Sequence, residues 1–263
     1  MKPSPDMART PRINLYATQC HPCSYLEGQE ASTVFIDPHH RVNAETYDRL
    51  SALGFRRSGQ HIYRPRCRSC QACIPIRLPV GDFKPSRQQK RVWKRNQDLA
   101  ITIVDDIQSG EHYALYEHYI TERHVDGDMY PPSREQYDAF LGTPFYSDER
   151  DGEEFLPNRA QLTCYVEFRQ GSTLKGVAVT DVLPSGLSAV YTFFDPDDAV
   201  RSLGVFAVLF QVELARKLAL PYLYLGYWIK GSRKMGYKCN YTPHEIFSSG
   251  IWQRRERPQQ DDF

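Results

Sequence analysis

At 263 residues the chain is long for one small domain and short for three, so one large or two closely packed domains are expected. Hydrophobic residues at 41%, charged residues at 25%, and 17 Tyr with 13 Phe describe a folded, aromatic-rich globular protein and exclude a disordered one. The net charge of +1 conceals an asymmetry: from Arg49 to Gln97 thirteen Lys and Arg stand against the single acid Asp82, a basic third that suits a polyanion unless the acidic remainder neutralises it.

Met1 to Arg12 carries prolines and charges but no apolar core of a secretory signal, and the longest apolar run, Gly204 to Phe210, is too short to span a bilayer. A cytoplasmic protein without membrane contact is therefore expected. Seven cysteines, an odd number in a reducing compartment, read as thiols or metal ligands rather than disulfides.

Residues 1–80 are turn-rich and hold five of the cysteines. Asn43 opens a helix over Ala44–Leu53 that Gly54 ends, and Phe55 to Tyr63 alternates around Ser58-Gly59 as a short hairpin. This is a small Cys-rich N-terminal module whose thin core a metal would staple. Ser86 then caps a helix reaching Leu99, on which Arg87, Lys90, Arg91, Lys94 and Arg95 fall in an arc of roughly 140°. Ile101–Val104 reads as a strand and Glu111–His124 as a helix. Gly127–Asn158 is irregular, with a short helix over Arg134–Leu141.

The pattern is clearest beyond residue 160. Leu162–Arg169, Leu174–Leu183 and Leu187–Phe194 form a three-stranded antiparallel meander. A helix over Leu203–Leu218, a strand over Pro221–Tyr227, a short helix over Gly231–Lys238 and a closing strand over Glu245–Trp252 follow. That order predicts an α+β fold, with an N-acetyltransferase-like (GNAT-like) mixed sheet and flanking helices over residues 81–254 and a polar tail over 255–263.

Four features carry chemistry. Cys20-His21-Pro22-Cys23 and Cys67-Arg68-Ser69-Cys70-Gln71-Ala72-Cys73 have chelating spacing, since two intervening residues let a turn aim both thiolates at one ion. Cys20, Cys23, Cys70 and Cys73 fill a tetrahedral site, with Cys67 or His21 as substitutes. Zinc and an iron-sulfur cluster use the same ligands, and buried free thiols are the alternative. Lys84 and the five helix cations, with no acid among them before Gln97, suit phosphate contacts better than a mixed-charge solvated face. Tyr224 to Lys238 sets phenols and cations at the end of a strand, either as a substrate cleft or as surface lysines beside core aromatics. Asp195 and Asp197 orient an amine or merely finish a turn.

The blocks Arg56-Arg57-Ser58-Gly59, Tyr63-Arg64-Pro65, Ile76-Arg77-Leu78, Phe83-Lys84-Pro85-Ser86-Arg87, Ser188-Ala189-Val190-Tyr191, Phe194-Asp195-Pro196-Asp197, Ser202-Leu203-Gly204 and Lys234-Met235-Gly236-Tyr237-Lys238 resemble, in this order, the arginyltransferase family of the N-degron pathway. Short length and the Cys-x-x-Cys-x-x-Cys run are similar to its bacterial branch, the aspartate/glutamate leucyltransferases. The resemblance implies transfer of leucine from leucyl-tRNA to the α-amine of a protein N-terminal Asp or Glu, without an organic cofactor and with zinc or an iron-sulfur cluster at the N-terminal cysteines.

An aminoacyl ester is already activated, so the enzyme must chiefly align amine and ester and stabilise the oxyanion. Arg77, Lys234 and Lys238 are the candidate cations for the acceptor carboxylate. Tyr191, Tyr227 and Tyr237 are candidate donors to the oxyanion or the terminal ribose, and Asp195 and Asp197 position the amine. Competing readings are arginyl transfer, a non-catalytic zinc-containing RNA-binding protein, and an acetyl-CoA-dependent acetyltransferase. Against the last, Gly204 alone stands where a glycine-rich pyrophosphate cradle is needed.

Overall fold

The computed structural model describes residues 13–40, 42–149, 158–232 and 234–256, so the expected tail lies outside the described residues from 257 onward. The N-terminal part contributes β1 (Leu15–Ala17), β2 (His21–Pro22), β3 (Glu30–Ala31), β4 (Thr33–Ile36), α1 (Ala44–Ala52), β5 (Arg56–Ser58) and β6 (His61–Pro65). Four of these strands form a sheet in the order β1-β4-β6-β5, and β2-β3 is a separate hairpin beside the first cysteine pair. Helix α1 starts where expected because the Asn43 side chain accepts from the Thr46 N–H at 2.9 Å. It stops at Gly54, whose φ of +87° suits glycine and where a Cβ would lie 2.8 Å from Pro75 Cγ.

The rest of the chain supplies β7 (Ile74–Pro79), α2 (Arg87–Arg95), β8 (Ala100–Val104), α3 (Gly110–Arg123), α4 (Arg134–Tyr137), β9 (Tyr146–Glu149), β10 (Asn158–Gln161), β11 (Thr163–Gln170), β12 (Thr173–Leu183), β13 (Gly186–Phe194), α5 (Leu203–Lys217), β14 (Tyr222–Trp228), β15 (His244–Ser248) and β16 (Ile251–Arg255). Eight strands make one mixed sheet in the order β16-β15-β7-β14-β13-β12-β11-β8. The fold is α+β, as the sequence indicates, with the meander β11-β12-β13 at its heart. Strand β7 carries no sequence signal because prolines and Arg77 interrupt it, yet it sits between β14 and β15, so the cysteine-rich segment donates a strand to the large sheet.

Four expected elements differ, the first being the short helix expected over Arg134–Leu141, which is α-helical only to Tyr137 and continues as a π turn over Asp138–Gly142. Helix α2 ends at Arg95 rather than Leu99, because the Asn96 side-chain amide turns back to the Val92 carbonyl and across to that of Arg201, both at 2.9 Å. Among the described residues, Gly231–Lys238 carries no α-helix. Gly231 at φ +76° breaks the chain there, and only a 3-10 turn over Gly236–Asn240 forms. The closing strand is a hairpin, β15-β16, folded at Ser249 and Gly250, both at positive φ.

Two apolar layers cover the large sheet. One centres on Leu203, Phe206 and Val212 of α5, with Val92 of α2; the other is aromatic, with Tyr116, Ile120 and Tyr137 against Tyr165 and Phe193. A third cluster joins Tyr47 and Leu50 of α1 to Leu162 and Leu183 at the end of the large sheet, docking α1 on it.

Candidate active site

Strands β13 and β14 run parallel but pair only at Gly186–Ser188 with Tyr222–Tyr224. Gly186 permits the contact, since a Cβ there would lie 2.6 Å from the Tyr222 carbonyl oxygen. Beyond it the strands part, and Ala189 to Thr192 pass from buried to half-buried. Strand β14 meanwhile bulges against β7 between Tyr224 and Tyr227, with Gly226 at φ +83°. Beyond Ser188 and Tyr224 the two strands are no longer paired, and the bulge lies beside this separation.

Two buried cations bracket the bulge. Lys238 donates from Nζ to the Tyr227 carbonyl at 2.9 Å, and Nζ lies 3.4 Å from where a Gly226 Cβ would stand. Arg56, on the N-terminal hairpin, places its guanidinium 5.0 Å from the Tyr224 ring centre and 5.9 Å from that of Tyr227. Arg56 NH1 donates to the Ser51 and Phe55 carbonyls, but its buried Nε and NH2 have no partner. Arg56 and Lys238 are 4% and 7% exposed, and neither makes an ion pair among the described residues. Burial, with repulsion from Arg56, pushes the Lys238 pKa down to about 7, and burial likewise lowers that of Arg56. Unpaired buried cations are costly, so the pair is suited to an anion. Sequence reasoning singled out Lys238 and missed Arg56, for which the tandem Arg56-Arg57 in a strand was the available signal.

The other expected acceptor cations are engaged elsewhere. Arg77 Nε donates to Glu245 Oε2 at 2.7 Å, and its guanidinium lies 3.5 Å and 4.2 Å from the ring centres of Tyr222 and Trp252. Lys234 Nζ pairs with Asp126 at 2.9 Å. The Tyr227 hydroxyl donates to the Gly54 carbonyl at 2.9 Å, so it ties the N-terminal module to β14.

Tyr191, half-buried on β13, packs against Phe140 and Tyr119, with ring centres 5.3 Å and 6.4 Å away. Tyr237 lies half-exposed, its ring centre 6.5 Å from that of Tyr241. Asp195 pairs with Lys175 at 2.8 Å; burial works to raise its pKa, but the ammonium outweighs this and holds the carboxyl below its usual range. Asp197 Oδ2 accepts from His118 Nε2 at 3.0 Å, and the ligand atoms of His118, Asp195 and Asp197 all lie within 4.8 Å of one another.

Lys90, Arg91, Lys94 and Arg87 are exposed on α2, near Lys84, and none of them forms an ion pair among the described residues. Arg95 donates to the Val200 carbonyl. The stripe is thus available to phosphates.

Cys67, Cys23 and Cys70 lie around Cys73, and burial together with those three thiols pushes the Cys73 pKa up to about 12. Cys20 is exposed and is not among these neighbours. The Ala72 N–H donates to Cys70 Sγ at 3.5 Å, as in a chelating Cys-x-x-Cys turn. Among the described residues only His118, Asp195 and Asp197 bring three candidate ligand atoms within 4.8 Å of one another, so the thiols, though chemically suited to a thiophilic ion, are not drawn into a closed ligand set.

Among the described residues no helix is long and apolar enough to cross a membrane. The family described as Arginine-tRNA-protein transferase, N terminus, matches residues 21–91, and its C-terminal counterpart matches residues 111–248. The Aspartate/glutamate leucyltransferase of Hahella chejuensis is 48% identical over 246 residues, spanning 94% of this chain and 99% of that one. That of Saccharophagus degradans is 51% identical over 241 residues, 91% of this chain and 96% of the other. Among solved structures, the C-terminal DUF2156 domain of an Agrobacterium fabrum lysylphosphatidylglycerol synthetase aligns with a TM-score of 0.41 at 11% identity, over 72% of this chain and 54% of that one. With both halves matched and near-full-length relatives at about half identity, the chain belongs to the arginine-tRNA-protein transferase family.

Proposed function

We propose that this chain transfers leucine from leucyl-tRNA to the α-amine of proteins that begin with Asp or Glu, and that the Arg56–Lys238 pair receives the acceptor's acidic side chain. The observation that carries the reading is that pair: two buried cations without a carboxylate, at the mouth of a strand separation, in a chain about 50% identical to enzymes bearing that name. The parting of β13 and β14 serves as an N-acetyltransferase-like cleft, admitting the aminoacyl end from one side and the acceptor from the other. Tyr191 and Tyr237 line the donor side, and Asp195 and Asp197, with His118, form its outer edge. Helix α2 and Lys84 steer the tRNA through phosphate contacts, which carry no sequence information.

Purified protein given an Asp-initiated peptide is expected to incorporate leucine from leucyl-tRNA and none from arginyl-tRNA. Incorporation from neither sinks the reading. In the same assay Lys90→Glu with Lys94→Glu raises KM for leucyl-tRNA and flattens its salt dependence, leaving acceptor KM unchanged.

Cys23, Cys67, Cys70 and Cys73 are the residues to hold zinc or an iron-sulfur cluster, which would act as a staple fixing the β2-β3 hairpin beside the acceptor pocket. Metal analysis of purified variants is expected to show loss of bound metal in Cys73→Ser and retention in Cys20→Ser. The reverse pattern returns the site to Cys20.

A further inference from the structure

We propose that His124 is the base that takes the proton from the acceptor nitrogen as the new peptide bond forms, an assignment that rests on the transferase reading above. His124 leaves the end of α3, where its φ of −139° turns it off the helix. Its Nε2 lies 3.2 Å from the Tyr119 hydroxyl, and its ring stands edge-on to that of Tyr119 at 5.1 Å between centres. Tyr119 in turn contacts Tyr191 and, at 4.9 Å, Phe194, both on the parting strand β13. Through Tyr119 the imidazole is thus tied to the parting strand β13, and the hydrogen bond holds its ring. When Nε2 carries the ring proton and donates it to Tyr119, Nδ1 presents a lone pair, and among the described residues no group occupies it.

One loop joins this imidazole to the acceptor pocket. Lys234 Nζ and the His124 side chain both approach Gly127, at 3.6 Å and 3.8 Å from a Cβ built there. Further along the same loop, Lys238 reaches the Tyr227 carbonyl. In the proposed arrangement a carboxylate held by Arg56 and Lys238 turns its own α-amine toward Tyr119 and His124. Other histidines near the sheet are closed off: His112 lies between Ser109 and Glu167, at 2.7 Å and 2.6 Å, and His118 meets Asp197.

The charges facing His124 keep it neutral. Burial comes first in lowering its pKa, Lys234 and Arg123 add to it, and Asp126 opposes. A neutral imidazole is the form that can accept a proton at pH 7.

The step balances without a further reactant. The free α-amine attacks the ester carbonyl carbon, a C–N bond forms, and the carbonyl π electrons move to oxygen. The resulting ammonium gives one proton to Nδ1. The oxyanion then re-forms the carbonyl and expels the terminal ribose oxygen, to which the imidazolium returns the proton, yielding the peptide bond and deacylated tRNA.

Histidine-to-glutamine substitution, H124Q, is expected to lower kcat about 100-fold, within the usual range for a lost general base, with KM for peptide and leucyl-tRNA within about threefold. Wild-type kcat is expected to fall as the pH drops below the imidazole pKa, a limb absent from H124Q. Added imidazole restores part of the activity of H124A and leaves wild type unchanged, a rescue that a merely structural role would not give. Full kcat with the wild-type pH profile in H124Q overturns the assignment, as does loss of activity in H124A that imidazole does not relieve. Because wild-type transfer is measured alongside, its absence condemns the functional reading instead.

Discussion

Lys238→Met is expected to lower kcat/KM for an Asp-initiated peptide by about 100-fold, while activity toward the matching Asn-initiated peptide stays where it was. The size follows from a charge-assisted contact in a buried site, where removing one partner costs roughly 3 kcal/mol. The direction of discrimination follows from the site: an uncharged amide makes no use of a second cation, so the preference for a carboxylate collapses when one is removed. Steady-state kinetics with the two peptides checks it, and an unchanged Asp preference rules the pocket out. Arg77→Met and Lys234→Met serve as contrasts, because Glu245 and Asp126 already hold those cations, and both variants are expected to keep the preference.

The pH dependence has a definite sign. In the free protein Lys238 is charged below its pKa of about 7 and neutral above it. Only the charged form attracts a carboxylate, so KM for the acceptor is expected to rise as the pH climbs from 7 to 8.5. Binding an anion beside the ammonium raises its pKa, which softens the rise without reversing it. In Lys238→Met this limb disappears.

Much of this was legible in the sequence. The meander from Leu162 to Phe194 shows itself through β-branched runs and turn dipeptides, and the α2 stripe through five cations on one arc. Asn43 and Ser86 mark helix starts because capping is local chemistry; Ser86 and Gln89 indeed form a reciprocal capping box. What failed to show depended on tertiary contact. Arg77 looks like a free cation until β15 brings Glu245 to it, and Arg56 looks like a surface residue until the hairpin folds onto β14. The base on α3 was equally hidden, since a histidine at a helix end is unremarkable without Tyr119 and the Lys234 loop around it. Within Gly231–Lys238 a helical composition lost to glycine geometry.

Asp181→Ala is expected to destabilise the protein by about 3–5 kcal/mol, because it strands a buried guanidinium. Asp181 on β12 is fully buried and accepts from Arg57 Nε at 2.6 Å, Arg57 NH2 at 2.8 Å, Tyr47 at 2.8 Å and Thr163 at 2.7 Å. Helix α1, the β5-β6 hairpin and strands β11 and β12 thus converge on one carboxylate. Denaturant unfolding checks the loss, and an apolar double replacement of Arg57 and Asp181 is expected to recover much of it, since the pair's desolvation cost vanishes with both charges. A loss under about 1 kcal/mol in the single variant shows instead that apolar contacts alone dock the module. The consequence reaches the cleft, because Arg56 and Arg57 are neighbours on one strand and face opposite ways. Arg57 clips the hairpin to Asp181 while Arg56 faces the Tyr224 and Tyr227 rings. Well below its unfolding temperature, Asp181→Ala is therefore expected to raise KM for the acidic acceptor and leave KM for leucyl-tRNA unchanged, as loosening the clip moves one of the two cations that receive the carboxylate.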